Sequence, residues 1–150
     1  MNIAYSCDNA YIEQTGISLI SVFENNKEEK EIKVYLISKG ISNENIEKLD
    51  SLCKSYKREL VVVNFDDIAF DLPQCSCGRH LETIYAKVFF SRIEGLDKVL
   101  YLDSDVVVVG NLKPLLETDL SEKYMGVVET TYTKGKKALG IPRSTPFFND

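Results

Sequence analysis

The sequence is short of positive charge, of histidine and of long apolar runs. Its 18 Lys and Arg residues against 23 Asp and Glu residues give a net charge of −5 and a pI near 5.0. This balance argues against a non-specific nucleic-acid binder, which needs a basic face to release phosphate counterions, but it allows a nucleotide bound through metal. No apolar stretch has the length of a membrane span, and the N-terminus lacks the basic start of a secretory signal. We therefore expect a cytoplasmic protein.

Cysteine usage indicates neither a disulfide framework nor a metal finger. Cys7, Cys53, Cys75 and Cys77 lack the even spacing of a disulfide scaffold, so reduced thiols are expected. Cys75 and Cys77 are near enough in sequence to hold zinc. However, no second Cys or His pair stands at finger-like spacing, and the only histidine is His80. We interpret this segment as a loop of small residues.

The chain does contain a regular alternation of apolar runs and amphipathic segments. With 150 residues and 44% apolar side chains, it is long enough for one compact domain. Alternating strands and helices predict an α/β fold with a largely parallel sheet. The predicted strands are 2–7, 32–37, 59–65, 98–109 and 124–128, with a long loop over 66–79. The first predicted helix is 11–24, and the second is capped by Ser42 and carries Ile46, Leu49, Cys53 and Tyr56 on one face. A third helix is predicted over 82–93, with Ile84, Tyr85, Val88, Phe89 and Ile93 inward, and a short helix or turn over 112–119.

The most informative segment is 98–112, Lys-Val-Leu-Tyr-Leu-Asp-Ser-Asp-Val-Val-Val-Val-Gly-Asn-Leu. It sets Asp103 and Asp105 in an apolar run that is typical of a buried strand. Two buried anions cost several kcal/mol each unless something positive receives them, and a divalent cation is the simplest receiver. Strand side chains alternate with period two, so both carboxylates are predicted on one face and Ser104 on the other.

The predicted topology brings this segment next to the first strand. If the first three strands run outward in order and the fourth returns beside the first, the strand order is 3-2-1-4. Ligands of open α/β sheets bind beyond the carboxyl ends of the strands that flank such a switch point. Here those ends carry Asp8 and the Asp103–Asp105 segment, so the two acidic groups are predicted to line one cleft.

The order of motifs resembles the retaining glycosyltransferases of family 8, which include bacterial lipopolysaccharide galactosyl- and glucosyltransferases and the glycogenin relatives. The resemblance rests mainly on 98–106 followed by Leu-Lys-Pro-Leu at 112–115 and Thr-Asp-Leu at 118–120, which is similar to the family's metal-binding DxD strand and its continuation. The N-terminal segment 2–11, the Gly40-Ile-Ser turn and the segment 83–87 match further motifs in the same order. The resemblance implies a Rossmann-like GT-A fold, the nucleotide-diphospho-sugar transferase fold, with a mostly parallel sheet and helices on both faces.

The same resemblance implies a hexosyltransferase that moves glucose or galactose from a UDP-sugar to a carbohydrate acceptor of the lipopolysaccharide type. Manganese, with magnesium as the alternative ion, would bridge the diphosphate to Asp103 and Asp105. Such an ion favours carboxylate and phosphate oxygens and stabilises the charge on the departing UDP. No catalytic nucleophile is identifiable, and Glu129 is only a weak candidate for contact with acceptor or sugar.

Further residues match positions that contact the donor in the family. Asp8 matches the acid that meets uracil, with helix capping as its alternative role. Ala10 stands where close relatives have Asn, so this part of the uridine contact would come from Asn9, from the backbone or from no group at all. Lys87 stands where the family usually has an Arg that reaches the diphosphate or donor sugar, with a solvated helix lysine as its alternative role. A lysine supplies a point charge without the bidentate fork of Arg. Ser104 and Asn149 are the remaining predicted substrate contacts.

In the family, the third metal ligand is a His well downstream of the segment that Asn149 matches, and this chain ends before that position. His80 matches a loop position near the acceptor instead. We therefore expect residues 1–150 to be one nucleotide-sugar-binding domain, the N-terminal part of a longer enzyme. No tail for docking to a membrane is visible, so peripheral membrane contact would need residues beyond Asp150. Two alternatives stay open: a UDP-binding module without turnover, and a haloacid-dehalogenase-like phosphatase that uses Asp103 as nucleophile.

Overall fold

The computed structural model describes residues 1–69, 85–120, 123 and 125–127. The chain divides into two units, Met1–Thr118 and Asp119–Asp150, and the regular elements below lie in the first. Among the described residues, no helix has the length and apolar character that crossing a membrane requires. The strands are β1 (Asn2–Cys7), β2 (Lys33–Ser38), β3 (Glu59–Asn64) and β4 (Leu100–Tyr101), the α-helices are α1 (Ile12–Asn25), α2 (Asn43–Ser55), α3 (Phe65–Ile68) and α4 (Lys113–Leu116), and 3-10 helices span Asn9–Tyr11 and Ala86–Arg92.

The four strands form one parallel sheet in the order β3-β2-β1-β4, which confirms the predicted order. β1 is central: it pairs with β2 along its whole length and with β4 at Ile3 and Ala4. After β3, at one edge, the chain returns to place β4 on the other side of β1. The switch point therefore lies between β1 and β4, as the sequence predicts.

Two apolar clusters cover the two faces of the sheet, because successive strand residues point to opposite faces. The first cluster joins Tyr5 and Leu36 to α1 and α2, whereas the second joins Ile37 to α3 and the 3-10 helix Ala86–Arg92. The prediction of helices on both faces is confirmed.

The buried face of α1 is partly polar. Its buried residues are Ile12, Thr15, Ser18, Leu19, Val22 and Phe23. Ser18 shares a 2.8 Å hydrogen bond with the hydroxyl of Tyr5, and both side chains are fully buried. Ile20, which the helical spacing also places inward, is instead 40% exposed because it lies at the margin of this stripe.

The beginning of α2 is fixed by three polar side chains. Ser42 is the N-cap, as predicted, and its Oγ accepts a hydrogen bond from the backbone N–H of Asn45 at 3.3 Å. Asn9 Oδ1 accepts from the backbone N–H of Ser42 at 3.0 Å and from Asn45 Nδ2 at 2.9 Å. Asn9 therefore ties the segment after β1 to the first turn of α2.

The strand predicted across 98–109 is largely wrong. β4 pairs with β1 only through Leu100 and Tyr101, and 106–109 form no strand. Val107 and Val109 are 59% and 88% exposed. The register that sets Ala4 beside Tyr101 brings the end of β1 level with Ser104, so the following residues have no partner strand on that side.

The segment before β4 also differs from its prediction. In the described part of the predicted helix 82–93, residues Ala86–Arg92 form a 3-10 helix. Three residues per turn bring Ala86 and Phe89 to the core, whereas Tyr85 and Val88, predicted inward, are 52% and 58% exposed.

Two smaller predictions also need correction. Residues 66–68, predicted to begin a loop, belong instead to the helical turn α3, which Asn64 caps by accepting from the backbone N–H of Asp66 at 3.2 Å. Residues 125–127, predicted to lie in a strand, have no strand pairing, and Met125 and Val127 are 51% and 75% exposed.

We predict that Asn9→Ala lowers the free energy of unfolding by about 1–2 kcal/mol, because it removes the acceptor that holds Ser42 and Asn45. Urea unfolding followed by circular dichroism measures this change. Asn9→Asp keeps an acceptor oxygen and should retain most of the stability. Equal losses in both variants would contradict this role for Asn9.

The pH dependence of stability tests the core around Cys53. Burial, with a smaller effect of Asp50, raises the pKa of the Cys53 thiol from 9.0 to about 12. The native state therefore keeps this proton when the unfolded state loses it, so the thiol's contribution is complete below pH 9 and is lost as the pH rises towards 12. Above pH 9 the free energy of unfolding should fall by up to about 1.4 kcal/mol per pH unit because of this group.

Urea unfolding of the wild type and of Cys53→Ala at pH 8, 9 and 10 separates this contribution from others. The variant should be less stable at pH 8 but should lose stability less steeply above pH 9. Burial also raises the pKa of Tyr5 to about 12; this burial is common to both proteins, and only the smaller contribution of Cys53 to the Tyr5 shift is lost in the variant. Parallel stability curves would contradict the account.

Candidate functional site

The carboxyl ends of β1 and β4 meet in the structure. The Cys7 thiol, at the end of β1, lies near the hydroxyls of Thr15 on α1 and Ser104 after β4. Burial raises the pKa of this thiol, the Thr15 hydroxyl opposes the rise, and the Asp8 carboxylate adds to it. Cys7 is a neutral, buried thiol at this junction and not an activated nucleophile.

Asp103 and Asp105 follow β4 and are both exposed, whereas Ser104 between them is only 8% exposed. The prediction that the carboxylates share a side opposite Ser104 agrees with this pattern. Their predicted burial is wrong, because β4 ends at Tyr101 and the chain then turns, with the backbone N–H of Val106 donating to the carbonyl of Asp103 at 3.1 Å. The carboxylates are hydrated and accessible, so no buried charge needs compensation.

Tyr101 connects β4 to Asp103 and was not singled out by the sequence. Burial raises the pKa of its hydroxyl, and the nearby Asp103 carboxylate raises it further. The hydroxyl therefore stays protonated beside Asp103. The position two residues before Asp103 was the available signal, because period-two alternation places both side chains on one face.

Lys87 joins the same group of side chains from the 3-10 helix. Its Nζ lies 4.8 Å from the centroid of the Tyr101 ring, a distance typical of a cation–π contact. The Phe90 ring packs on Tyr101 from the same helix, with 5.7 Å between centroids. The structure thus brings Lys87 and Asp103, predicted separately, to one aromatic ring.

The two polar side chains after β1 both have structural roles. Asp8 Oδ1 accepts from the backbone N–H of Ala10 at 2.9 Å and caps the 3-10 helix Asn9–Tyr11. The capping role considered for Asp8 is therefore present and uses one carboxylate oxygen. The amide oxygen of Asn9 accepts hydrogen bonds from Ser42 and Asn45, so its NH2 group is the part of the side chain that remains to contact a ligand.

Two buried hydroxyls at this end of the sheet lack hydrogen bonds. Ser6 and Ser104 are each 8% exposed, and neither Oγ has a partner among the residues that the structure describes. Ser104 Oγ lies near the Cys7 thiol, but not in hydrogen-bonding geometry. A buried hydroxyl without a partner costs about 1–3 kcal/mol, so this pair at one sheet end marks a place where a ligand or water would complete the bonding.

The residues at hand fit a hard divalent cation in part. Asp103 and Asp105 offer carboxylate oxygens, which Mn²⁺ and Mg²⁺ prefer, and neither forms a salt bridge within the described ranges. The described part of the chain has no group of three or more His, Cys, Asp or Glu side chains around a common point. The other residues singled out in the sequence, namely Cys75, Cys77, His80, Glu129 and Asn149, lie outside the described residues.

Comparison with known proteins gives a consistent family. The chain matches the family model described as glycosyl transferase family 8 over residues 2–146. It is 30% identical over 129 residues to a lipopolysaccharide 1,2-glucosyltransferase of Escherichia coli, covering 85% of this chain and 38% of that protein. It is 27% identical over 150 residues to the lipopolysaccharide 1,3-galactosyltransferase of Salmonella typhimurium, covering 94% of this chain and 43% of that protein.

Among solved structures, the galactosyltransferase LgtC in complex with donor and acceptor sugar analogues superposes with a TM-score of 0.62 and 31% identity. The match covers 80% of this chain and 43% of LgtC. The chain thus spans less than half the length of these relatives. The strand order and the helices on both faces of the sheet agree with the matches to known structures and to the family model. The chain has the GT-A fold and belongs to glycosyl transferase family 8.

Proposed function

We propose that this chain carries the donor-binding site of a retaining hexosyltransferase that uses UDP-glucose or UDP-galactose. The observation that supports this most directly is the group formed by Lys87, Tyr101, Asp103 and Asp105 at the carboxyl end of β4, beside the end of β1. A cation and two accessible carboxylates at a sheet switch point suit a metal-bound diphosphate. The acceptor would be a carbohydrate of the lipopolysaccharide type, in line with the named relatives.

In this proposal Asp103 and Asp105 hold Mn²⁺, or Mg²⁺ in its place. When bound, such an ion offsets the negative charge that develops on UDP as the sugar leaves. The Tyr101 hydroxyl lies near Asp103 and would restrict the orientation of this ligand carboxylate by donating to it. The remaining coordination positions are left to phosphate oxygens, water and residues outside the described part of the chain.

The uridine would lie across the end of β1. Asp8 uses one carboxylate oxygen in capping the 3-10 helix, and its second oxygen is the proposed acceptor for the uracil N–H. Asn9 can contribute only through its NH2 group, because its oxygen is occupied. Ser104, whose buried hydroxyl lacks a partner in the described part of the chain, would face the same part of the nucleotide.

Lys87 would neutralise the diphosphate and assist its departure. The Tyr101 ring stabilises the ammonium group near the aspartates, while the side chain, which is exposed, can still turn towards an anion. In a retaining reaction the bond between the sugar and UDP breaks, the acceptor oxygen bonds to the oxocarbenium-like carbon from the same face, and the hydroxyl proton passes to the departing phosphate. Asn149 is proposed to approach that sugar.

We predict that UDP binds this chain in the presence of Mn²⁺ and that binding is lost in EDTA and in Asp103→Asn/Asp105→Asn. The substitution removes both anionic ligands and leaves the side-chain volume unchanged. Isothermal titration calorimetry measures the affinity. Asp97→Asn is the matched control, because Asp97 is an exposed carboxylate before β4 and outside the proposed site.

UDP binding that is unchanged in EDTA, or lost equally in the Asp97 control, would contradict the metal site. Binding without release of sugar from UDP-glucose or UDP-galactose would support a donor-binding unit that needs further residues for turnover. Circular dichroism of each variant confirms that the fold is intact.

Lys87 should contribute to diphosphate binding and not to base binding. We predict that Lys87→Ala weakens UDP binding by roughly 10- to 100-fold, the range of one charge-assisted contact, and leaves uridine binding unchanged. Lys87→Arg keeps the charge and should retain most of the affinity. Equal weakening of UDP and uridine would show that Lys87 acts through the fold alone.

A further inference from the structure

The segment after the aspartates is held by α1, not by a strand. Of the valines at 106–109, only Val108 is buried, at 7% exposure, and it packs in the apolar cluster on the α1 and α2 face. Outside a sheet, a buried residue must find other partners for its backbone N–H and C=O groups. Both groups of Val108 find them on one helix.

Two side chains in the last turns of α1 form hydrogen bonds with the backbone of Val108. Its backbone N–H donates to Ser21 Oγ at 2.9 Å, and its carbonyl accepts from Asn25 Nδ2 at 3.0 Å. Ser21 and Asn25 are one helical turn apart, and they are oriented by α1 itself: Ser21 Oγ donates to the Ser18 carbonyl, and Asn25 Nδ2 also donates to the Ser21 carbonyl. These two side chains supply the backbone hydrogen bonds that a neighbouring strand would otherwise give to Val108.

A second attachment follows four residues later. Asn26, which is 1% exposed, accepts from the backbone N–H of Leu112 through Oδ1 at 2.8 Å. Its Nδ2 donates to the Val22 carbonyl at 2.8 Å. The amide of Asn26 therefore bridges α1 to the segment that leads into α4, and both its oxygen and its nitrogen are used.

The aspartates lie between these attachments and β1. On one side the backbone N–H of Leu102 donates to the carbonyl of Ala4 at 2.9 Å, and on the other side Val108 is fixed to α1. Residues 103–107, which are exposed except for Ser104, form a bridge between the two points, with one internal hydrogen bond, from the N–H of Val106 to the carbonyl of Asp103. A short bridge fixed at both ends has few conformations, so the carboxylate positions depend on both attachments.

We propose that Ser21 and Asn25 are positioning residues for the donor site: by fixing Val108 they hold the bridge 103–107 in the arrangement in which Asp103 and Asp105 bind a divalent cation together. This inference rests on the proposed function for its consequence in binding. Its structural half, that α1 restricts the bridge, is testable without any ligand. Asn26 supports the same segment further along the chain.

The test without ligand is ¹⁵N relaxation of the free chain. In Ser21→Ala/Asn25→Ala, the order parameters of residues 103–107 should fall from about 0.85 to below about 0.6, while those of β1 stay unchanged. Ser21→Thr keeps the hydroxyl and should leave the bridge rigid. If the bridge stays rigid in the double variant, the inference is overturned.

The test with ligand is calorimetric titration of UDP with Mn²⁺. The double variant should bind about tenfold more weakly, the loss expected if roughly one further residue must be ordered on binding. Ser21→Thr should bind as the wild type does. Leu49→Ala, which destabilises the core from α2, controls for stability and should not change the affinity of the folded protein.

The outcomes separate the two proposals. If the wild type binds in a manner that depends on Asp103 and Asp105, and the double variant binds equally well, the positioning role is wrong and the donor site stands. If the bridge becomes mobile in the double variant but the aspartates do not affect UDP binding, the donor site is wrong and the structural half of the inference stands. If Leu49→Ala weakens binding as much as the double variant does, the effect is one of general stability and the positioning role is overturned.

Discussion

The pairing of β1 with both of its neighbours is the interaction on which the rest of this structure depends. β1 hydrogen-bonds to β2 along six residues and to β4 at its other edge, and residues 3–7 are all buried. This position fixes where β4 ends and therefore where the aspartates emerge. It also brings Cys7 to Ser104, so that the segments after two strands far apart in sequence share one end of the sheet. The donor site that we propose follows from this arrangement.

The central fold was predictable because its signals are local and strong. Apolar residues with helical spacing predicted α1 and α2, and Ser42 predicted the beginning of α2. The alternation of elements predicted a parallel sheet, and the observed strand order is the one expected if the fourth strand returns beside the first. The extent of β4 was not predictable from the same kind of signal. A run of four valines favours a strand, but composition does not reveal that the hydrogen-bond partners of Val108 are side chains of Ser21 and Asn25.

The sequence indicated which residues belong to the candidate site better than it indicated their exposure and their contacts. Asp103, Asp105 and Lys87 were singled out, and the structure places Lys87 over the ring of Tyr101, which lies near Asp103. The predicted burial of Asp103 and Asp105 is wrong, however, because both carboxylates are exposed. Asn9 illustrates a different limit. Its sequence position suggested a nucleotide contact, whereas its side-chain oxygen accepts a hydrogen bond from Ser42 at the beginning of α2. Ser42 lies more than thirty positions away in the sequence, so this contact was not predictable.

The most direct test of the central claim is a crystal structure of this chain with UDP and Mn²⁺, with anomalous diffraction recorded at the manganese edge. We predict a manganese peak coordinated by Asp103 and Asp105 and by the diphosphate, with Lys87 turned to the phosphates and uracil against Asp8 at the end of β1. A manganese peak away from these two carboxylates, or UDP bound elsewhere on the chain, would contradict the account.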